Sequence, residues 1–399
     1  MWTDPAAAEG DYRLPVLLAI NAGSSSLKFG LFQAPDCSRI ARGQIEDLAD
    51  QARLKVRVGE EAQALDLQCS LTQEQALNRI LEWISERRVR IVAAVHRVVH
   101  SGGLFDGPVR VDPQIIDQLD AMTPLAPLHQ PHNVAALRRL TEMAPELPQV
   151  ACFDTAFHAH WGPLATHFPL PAEIHDRGFR RYGFHGLSYA YITGQLRQLD
   201  PDARRVVVAH LGSGASLCAI ANGRSVDCSF GYSPLGGIPM ATRSGDLDPG
   251  LLIALTRALP GGIDEVERLV SKCGGLAGWS EGDGDMREVL ERSDEIARLA
   301  VERYCLAIAR NIAGMVTTLS GIDALVFTAG VGENAAAVRA QICERLGWAG
   351  IRLDSAANDR GERELHDRQS VCRIYRLATD EEQQMAAEAA ATLGWDQSN

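Results

Sequence analysis

Three short apolar segments, each running directly into a turn of small residues, constrain the fold of this chain most strongly. They are residues 16–20 before NAGSSS, residues 206–210 before LGSGAS, and residues 324–330 at GVGEN. An apolar run bounded by Gly and Ser is typical of a buried strand and its turn. The first two turns lead into a second strand, and the third leads into a helix at residues 335–346. This recurrence predicts that one arrangement of strand and turn is repeated around a single cleft.

Helix starts are marked by capping residues. Asp112 and Asp248 each precede a proline, which is typical of an N-cap followed by the first helical residue. Thr379, with Glu382 three residues later, predicts a capping box at the last helix. Residues 301–319 predict a mostly buried helix. Because strands and helices alternate along the chain, we expect an α/β protein.

Length and composition limit the class of protein. The chain has 399 residues, and domains of about 100–200 residues are usual, so two domains are expected. It is 46% hydrophobic and 23% charged, which excludes a disordered or collagen-like chain. The 39 basic and 51 acidic residues give a net charge of −12, which argues against non-specific binding to nucleic acid or to an anionic membrane.

The cysteines and the N-terminal residues indicate in which cellular compartment the protein is expected. Nine cysteines occur without a Cys-X-X-Cys pair, which argues against a disulfide framework or a zinc knuckle. The N-terminus lacks the pattern of a signal peptide, and no apolar run approaches the ~20 residues of a membrane span. We therefore expect a soluble, cytoplasmic protein.

The turns of small residues are candidates for binding an anion. In residues 21–29, backbone N–H groups and hydroxyls could approach a phosphate beside Lys28, but an ordinary hairpin uses the same turn residues. Residues 210–216 contain Gly-X-Gly without the third glycine or the following helix of a dinucleotide fingerprint. Residues 330–334 lead from a strand into a helix, where backbone N–H groups commonly meet a nucleotide.

His96 and His100 lie four positions apart, which on a helix would be zinc spacing. The β-branched run around them predicts a strand instead, on which they would be about 13 Å apart, so a shared metal is not expected. Arg97 falls on the opposite face from His96. An arginine on a strand that is followed by Gly-Gly suits the capture of an anion.

Four other segments are rich in polar residues. Residues 153–160 and 180–186 combine Asp, His and aromatic residues, and they form either a polar cleft wall or satisfied core histidines. Residues 241–250 form a glycine-rich loop before a helix. Residues 281–287 form an acidic loop whose Asp and Arg side chains face either a ligand or each other.

Taken in order, these segments resemble the acetate and propionate kinase family. The resemblance runs through NAGSSSLKF, HRVVHSGG, LAPLHQP, FDTAFH, RRYGFHG, HLGSGAS, SVDCSFGYSPLGGIPMATRSGDLDP, GDMR, TAGVGEN and TDEE. It implies two domains with a duplicated actin-like, ribonuclease H-like ATPase fold and a cleft between them. The implied domains are residues 1–153 with 384–399, closed by the C-terminal helix, and the nucleotide-binding residues 154–383. The implied activity is reversible Mg-ATP-dependent phosphorylation of acetate to acetyl phosphate, in a homodimer.

The resemblance also implies roles for individual residues. The positions that would place Mg²⁺, or Mn²⁺ in its stead, are Asn21 and Glu381. The implied catalytic residues are Asp154, His185 and Arg243. The implied substrate-binding residues are Arg97 and, for a small apolar acyl pocket, Val99, Leu128, Phe184 and Pro234. The implied ATP-binding residues are Lys28, His210, Leu211, Gly212, Ser213, Gly214, Asp285, Met286, Arg287, Gly330, Val331, Gly332, Glu333 and Asn334.

The chain departs from the usual residues of the family at five positions, which are Ser101, Tyr189, Ser213, Cys228 and Gly236. Ser213 replaces the usual Asn and leaves the nucleotide preference open. Two other functions stay open as well. One is a different acyl kinase, which phosphorylates propionate or another short-chain carboxylate or uses pyrophosphate in place of ATP. The other is a non-catalytic nucleotide-dependent switch on the same fold. Retention of Arg97, Arg243 and His185 argues against the switch.

The roles of two carboxylates follow from simple chemistry. An acyl carboxylate is already ionised near pH 7 and needs no general base, so we expect Asp154 to orient an arginine or a metal-bound water. Glu382 lies beside Glu381, and we attribute it to helix capping.

Overall fold

The structure is a computed structural model that describes residues 13–23, 26–127, 129–282 and 284–395. Its strands are β1 Leu14–Ala22, β2 Leu27–Gln33, β3 Arg39–Glu46, β4 Arg53–Val58, β5 Glu61–Asp66, β6 Val89–Val98, β7 Val109–Arg110, β8 Gln149–Phe153, β9 Arg205–Leu211, β10 Ala215–Ala221, β11 Arg224–Cys228, β12 Ala324–Thr328 and β13 Arg373–Arg376. Its α-helices are α1 Gln73–Ser85, α2 Pro113–Ala121, α3 Gln130–Met143, α4 Pro163–Thr166, α5 Ala172–Asp176, α6 Gly186–Leu199, α7 Pro249–Ala258, α8 Gly262–Lys272, α9 Gly275–Ser280, α10 Met286–Glu291, α11 Glu295–Thr318, α12 Ala329–Asn334, α13 Ala336–Arg345, α14 Ser355–Asp359 and α15 Glu381–Leu393.

The described residues divide into two compact units. Unit 1 is drawn from residues 1–159 and 380–399, and unit 2 spans His160–Thr379. The sequence assigned residues 154–159 and 380–383 to the second domain, whereas the structure includes both stretches in unit 1. Both stretches make ion pairs within unit 1, Asp154 with Arg97 and Asp380 with Arg39.

The two units repeat one strand order. In unit 1, β3, β2 and β1 are antiparallel neighbours, and β6 and β8 extend the sheet beside β1 in parallel. In unit 2, β11, β10 and β9 are antiparallel, and β12 and β13 extend that sheet in parallel. The predicted hairpins at the first two turns are confirmed, with Ser24 and Ser25 outside the described residues. The third strand, β12, leads directly into α12, which includes the GVGEN residues predicted as a turn, and the helix predicted at residues 335–346 is α13.

The central strands are buried along their whole inner length. In β1, every residue from Val16 to Ala22 is buried, and in β9 the same holds from Val206 to Leu211. Strands that are apolar on both faces are typical of a sheet covered by helices. In unit 1, α3 and α15 pack against β1 and β6, and in unit 2, α11 packs against β9 and β10. Truncating a core side chain such as Leu18 to Ala would cost about 2–5 kcal/mol of stability.

Two of the three predicted helix caps are confirmed. Asp112 and Asp248 each accept a hydrogen bond from the backbone N–H three residues later, with proline as the first helical residue. The capping box predicted at Thr379 is wrong. The cap of α15 is Asp380, because its carboxylate accepts the N–H of Gln383 over 2.9 Å, and Thr379 belongs to unit 2. Within the described ranges, no helix is long and apolar enough to cross a membrane.

Candidate active site

A cluster of charged side chains in unit 1 lies where three neighbouring strands end. Because β1, β6 and β8 run parallel in that order, their carboxyl ends share one edge of the sheet. Asn21 lies near the end of β1, Arg97 lies near the end of β6, and Asp154 directly follows β8. Glu381 and Glu382 join them from the first turn of α15. We call these five residues the charged cluster.

Arg97 is the centre of the charged cluster. Its Nε donates to the two carboxylate oxygens of Asp154 over 3.0 and 3.2 Å, and its Nη2 donates to Oδ2 over 2.6 Å. Its Nη1 donates to Asn21 Oδ1 over 3.1 Å. The Arg97 side chain is 19% exposed and that of Asp154 only 2%, so Arg97 is the member of the pair that faces solvent. Asp154 occupies the Nε–Nη2 edge and fixes the guanidinium in one orientation, and an arginine so fixed can bind a carboxylate or phosphoryl oxygen through its remaining Nη donors.

Asn21 uses both ends of its amide within the charged cluster. Its Nδ2 donates to Glu381 Oε2 over 3.3 Å and to Glu382 Oε1 over 3.4 Å. The capping role that the sequence suggested for Glu382 is therefore wrong. Asp380 occupies the cap, and the Glu382 carboxylate turns towards Asn21 instead.

The charged cluster holds more negative than positive charge, since three carboxylates surround one guanidinium. Burial raises the pKa of Asp154, although the Arg97 guanidinium opposes the rise and favours the ionised form. Burial and then the charge of Glu381 raise the pKa of Glu382, while Lys28 opposes that rise. Burial by itself would lower the pKa of Arg97, but the adjacent carboxylates outweigh it and raise that pKa. The surplus of carboxylates makes this edge of the sheet attractive to a cation.

Asn21 and Glu381, the residues predicted to place Mg²⁺, fit that ion chemically. Mg²⁺ prefers oxygen ligands and usually takes one or two carboxylates together with water and substrate phosphates. The Asn21 amide contacts the Glu381 carboxylate through Nδ2, so the two residues lie side by side, while Asn21 Oδ1 accepts a hydrogen bond from Arg97. Among the described residues, no group of three or more His, Cys, Asp and Glu side chains is arranged to hold a metal.

Two buried side chains of α3 fix the backbone at the ends of β1 and β6. Asn133 Oδ1 accepts the N–H of Val99 over 3.1 Å, and its Nδ2 donates to the carbonyl of Ala22 over 2.9 Å. Gln130, one turn earlier on α3, accepts the N–H of His100 over 3.3 Å. The predicted acyl-pocket residue Val99 is thereby held through its main chain, and the ends of both strands are tied to one helix.

In unit 2, His185 immediately precedes α6 and adopts the left-handed conformation with φ of +60°. Such a conformation costs a non-glycine residue about 1–3 kcal/mol and persists where the surroundings enforce it. The His185 Nδ1 lies 2.9 Å from Ser216 Oγ on β10. Its ring centroid lies 4.2 Å from that of His210 and 5.1 Å from that of Phe230. These contacts hold the imidazole in one orientation.

The glycine-rich turn between β9 and β10 lies beside two predicted catalytic residues. A Cβ placed on Gly214 would lie 3.4 Å from His185 Nε2 and 3.6 Å from Arg243 Nη1. The missing side chain therefore leaves both nitrogens open to this turn. Arg243 Nη1 also donates to the carbonyl of Pro234 over 3.0 Å, which ties the guanidinium to a predicted acyl-pocket residue.

The other predicted nucleotide segments lie at helix starts in unit 2. Asp285 caps α10 and forms an ion pair of 2.5 Å with Arg287, so the two side chains face each other. At the start of α12, Ala329 adopts φ of +65°. Glu333 on α12 accepts the N–H of Thr379 over 3.4 Å, and burial raises its pKa.

The remaining predicted residues are distributed over both units. Lys28 is exposed on β2 in unit 1. Phe184 and Met286 are buried in unit 2. His210 and Leu211 end β9, and Ser213 accepts the N–H of Ala241 through its carbonyl. Leu128, predicted in the acyl pocket, lies outside the described residues.

Sequence reasoning missed residues that orient the predicted ones. In the sequence, Ser216 stands out only as the last residue of HLGSGAS, and Tyr189 only as a departure from the usual residues of the family. In the structure, the Tyr189 hydroxyl lies 2.5 Å from Ser216 Oγ, which in turn contacts His185. Tyr189 lies one helical turn after His185, and this spacing was the available signal. Nothing in the sequence connected either residue with Ser216.

Proteins similar in sequence to this chain include acetate kinases from several bacteria. The acetate kinase of Rhodopseudomonas palustris strain ATCC BAA-98 / CGA009 is 44% identical over 354 residues, covering 86% of this chain and 89% of that protein. The acetate kinase of Methylocella silvestris is 40% identical and covers 94% of this chain and 98% of that protein.

Solved structures of similar proteins cover the chain equally well. A propionate kinase from Francisella tularensis superposes with a TM-score of 0.89 at 33% identity, covering 94% of this chain and 99% of that one. Porphyromonas gingivalis acetate kinase superposes with a TM-score of 0.84 at 33% identity, covering 95% of this chain and all of that one. The acetokinase family model matches residues 16–387. This chain therefore belongs to the acetokinase family.

Proposed function

We propose that this chain catalyses reversible transfer of the γ-phosphoryl group of ATP to acetate, giving acetyl phosphate and ADP. The observation that carries the proposal is the Arg97–Asp154 pair, in which a preoriented guanidinium keeps its exposed side for an anion. A small carboxylate and a phosphoryl group are both anions that a forked arginine binds through paired hydrogen bonds. Membership of the acetokinase family supports the same activity.

The reaction requires little covalent chemistry from the protein. Phosphoryl transfer is accelerated by positioning the reactants and by neutralising charge on the equatorial oxygens. We assign Arg97 to the acetate and the transferring group, and Arg243 and the His185 ring to the phosphoryl oxygens. Because acetate has a pKa of about 4–5, it is already a nucleophile at neutral pH.

Asp154 acts in this proposal through Arg97. It is the buried member of the pair, and its carboxylate oxygens are taken up by three contacts with the guanidinium. A base for acetate has no proton to remove near pH 7. We therefore propose that Asp154 holds the Arg97 guanidinium in the orientation that binds the substrate.

Mg²⁺ belongs to the proposed substrate complex, and Mn²⁺ is the alternative ion. Bound with ATP, the ion would neutralise phosphate charge during transfer. Asn21 and Glu381 would hold it at the negative edge of the charged cluster, with Glu382 adding charge beside them. The proposed ATP-binding segments of unit 2 are residues 210–214, 285–287 and 330–334, and Lys28 of unit 1 would contact the phosphates.

The acyl pocket is proposed from Val99, Leu128, Phe184 and Pro234. Val99 and Phe184 are buried apolar side chains, which suits a methyl group. One additional methylene in such a pocket changes binding by only about 1–3 kcal/mol, so propionate is the natural second substrate. The likeness to a propionate kinase structure makes this comparison worth measuring.

We also propose that the protein is a cytoplasmic homodimer. None of the residues of α7 is buried, although Leu251 and Ile253 on this helix are large and apolar. Ile263 on α8 is exposed as well, and these side chains could be covered by a second copy of the chain. Sedimentation equilibrium should show twice the chain mass, and Ile253→Glu should lower it. All nine cysteines are free thiols, which fits a reducing compartment.

The test of the proposed activity is an acyl phosphate assay with hydroxylamine. Acetate, propionate and butyrate are each supplied with Mg-ATP or with pyrophosphate. We expect hydroxamate from acetate and ATP, and ATP formation from acetyl phosphate and ADP. If no carboxylate in this series yields an acyl phosphate, the protein is a nucleotide-dependent switch on the same fold.

A further inference from the structure

The two ring nitrogens of His185 face different surroundings. Nδ1 lies 2.9 Å from Ser216 Oγ, and Ser216 is fully buried on β10. Nε2 lies on the side of Gly214, where a Cβ would come within 3.4 Å of it and within 3.6 Å of Arg243 Nη1. The buried nitrogen therefore has a fixed hydroxyl partner, while the other faces the glycine turn and a guanidinium.

The buried hydroxyl is itself held by a second one. Tyr189 lies one turn along α6, is fully buried, and places its phenolic oxygen 2.5 Å from Ser216 Oγ. Ser216 Oγ thus lies between a phenol and an imidazole nitrogen. The three side chains form a relay of hydrogen bonds, Tyr189–Ser216–His185.

The direction of the relay follows from the acidity of its members. A phenol is much more acidic than an aliphatic hydroxyl, so the stronger donor of the first pair is Tyr189. Burial raises the pKa of Tyr189 further, which keeps its proton in place. Once Ser216 Oγ accepts from Tyr189, its own proton is available to His185 Nδ1.

We propose that Tyr189 and Ser216 are positioning residues that set the tautomer of His185, leaving its proton on Nε2 beside Gly214 and Arg243. The hydrogen bond made by one ring nitrogen decides which form of the other is present. Nε2–H then serves as a neutral donor next to a cationic one, which suits an incoming phosphoryl oxygen. This consequence rests on the proposed function, whereas the tautomer itself does not.

His210 repeats the arrangement. Its Nδ1 lies 2.8 Å from Ser188 Oγ, and Ser188 Oγ lies 2.8 Å from Thr379 Oγ1. A Cβ on Gly212 would lie 3.8 Å from His210 Nε2. Both neighbouring imidazoles therefore direct Nδ1 to a buried serine and Nε2 towards the turn at residues 212–214. The relay of His185 differs in ending on the more acidic phenol.

The direct test is ¹⁵N NMR of the imidazole nitrogens at a pH well above the ordinary imidazole pKa of about 6.5. A His185→Gln variant identifies the His185 signals by their loss. We expect the Nε2–H tautomer in the wild type, and a mixture of tautomers in Ser216→Ala and, to a smaller extent, in Tyr189→Phe. An Nδ1–H tautomer in the wild type, or an unchanged tautomer in Ser216→Ala, would overturn the proposal.

Kinetics of acyl phosphate formation supply the second readout. We expect Ser216→Ala to lower kcat about 10-fold at most, and Tyr189→Phe to lower it about 3-fold, with the KM for ATP nearly unchanged. Tyr304→Phe makes the same chemical change at a buried tyrosine of α11, and Ser271→Ala removes another largely buried hydroxyl. Both controls should keep the wild-type kcat.

A double-mutant cycle separates positioning from simple loss of packing. If Tyr189 acts through Ser216, then Tyr189→Phe has no further effect on kcat in the Ser216→Ala background. Additive losses, or equal losses in the two controls, would contradict the relay. A wild-type protein that makes no acyl phosphate would defeat the proposed function, while the NMR result would still decide the tautomer.

Discussion

The two units share one strand order but hold their candidate functional groups in opposite ways. In unit 1, Arg97 is fixed by charge, through Asp154 and the glutamates at the start of α15. In unit 2, His185 is fixed by neutral groups, through Ser216 and Tyr189. An ionic cluster thus lies at the ends of β1, β6 and β8 in one copy of the fold, and a hydroxyl relay lies between α6 and the start of β10 in the other.

This difference predicts how each unit responds to substitution. A buried ion that loses its partner costs several kcal/mol, because it was removed from water in exchange for that partner. A neutral hydrogen bond contributes only about 0.5–1.5 kcal/mol net, since water can replace much of it. Changes in the charged cluster should therefore be costlier than changes in the relay.

The largest effect is expected at Arg97. Arg97→Ala should lower kcat/KM at least 10²-fold, because a positioned donor of this kind contributes roughly 2.7–4 kcal/mol. Arg97→Lys keeps the charge, loses the fork and should lose most of the same activity. Arg205 makes a similar forked pair with Asp323 on an exposed part of unit 2, so Arg205→Ala is the matched control with activity near wild type.

Steady-state kinetics with both substrates varied, at a temperature below unfolding, checks this prediction. In Arg243→Ala, kcat/KM should fall by a similar factor, since the Arg243 guanidinium is also assigned to the reacting groups. A loss confined to the KM for ATP in either variant would remove that arginine from the transition state.

Asp154→Asn tests whether charge or shape holds Arg97. The substitution keeps the size of the side chain but removes the charge, so kcat should fall at least about tenfold while the KM for acetate changes little. Asp200 is an equally buried carboxylate that pairs with Arg373 in unit 2, and Asp200→Asn should keep the wild-type kcat. Wild-type kcat in folded Asp154→Asn would show that shape alone suffices.

A smaller effect is expected on the other face of β6, where His96 is buried without charge. Burial lowers the pKa of His96 from 6.5 to about 4. Above pH 6.5 both folded and unfolded chains hold it neutral. As the pH falls from 6.5 to 4, only the unfolded chain takes up the proton, so the folded state loses stability.

Between pH 7.5 and pH 5 the His96 contribution should amount to about 2 kcal/mol. Urea unfolding of the wild type and His96→Leu at both pH values measures it. The variant should lose less stability than the wild type by that amount. Equal losses in the two proteins would mean that His96 is not the group responsible.

The sequence predicted the parts of this architecture that depend on local patterns. Apolar runs with glycine-rich turns located β1, β9 and β12, and Asp-Pro pairs located the starts of α2 and α7. The sequence misplaced the last cap because Thr379 and Asp380 both have side chains that can cap a helix. In the structure the Thr379 hydroxyl contacts Ser188 instead, and Asp380 is the cap. Because the cap is Asp380 and not Thr379, Glu382 is not the glutamate of a capping box, and its carboxylate contacts Asn21.

The supporting residues could not be found from the sequence for a different reason. Asn133 joins the ends of β1 and β6 from a helix distant in sequence from both strands. Ser216 meets Tyr189 and His185 only because β10 packs beside α6. Such contacts arise from the packing of distant segments, which no local spacing records.

The measurement that tests the account most directly is the solvent deuterium isotope effect on a single turnover of the wild-type enzyme. In this account unit 1 orients charges, unit 2 presents a neutral donor, and no proton moves in the step that transfers the phosphoryl group. We therefore predict equal rates in H₂O and D₂O within error. A ratio well above about 2 would contradict the account and would assign Asp154 to proton transfer.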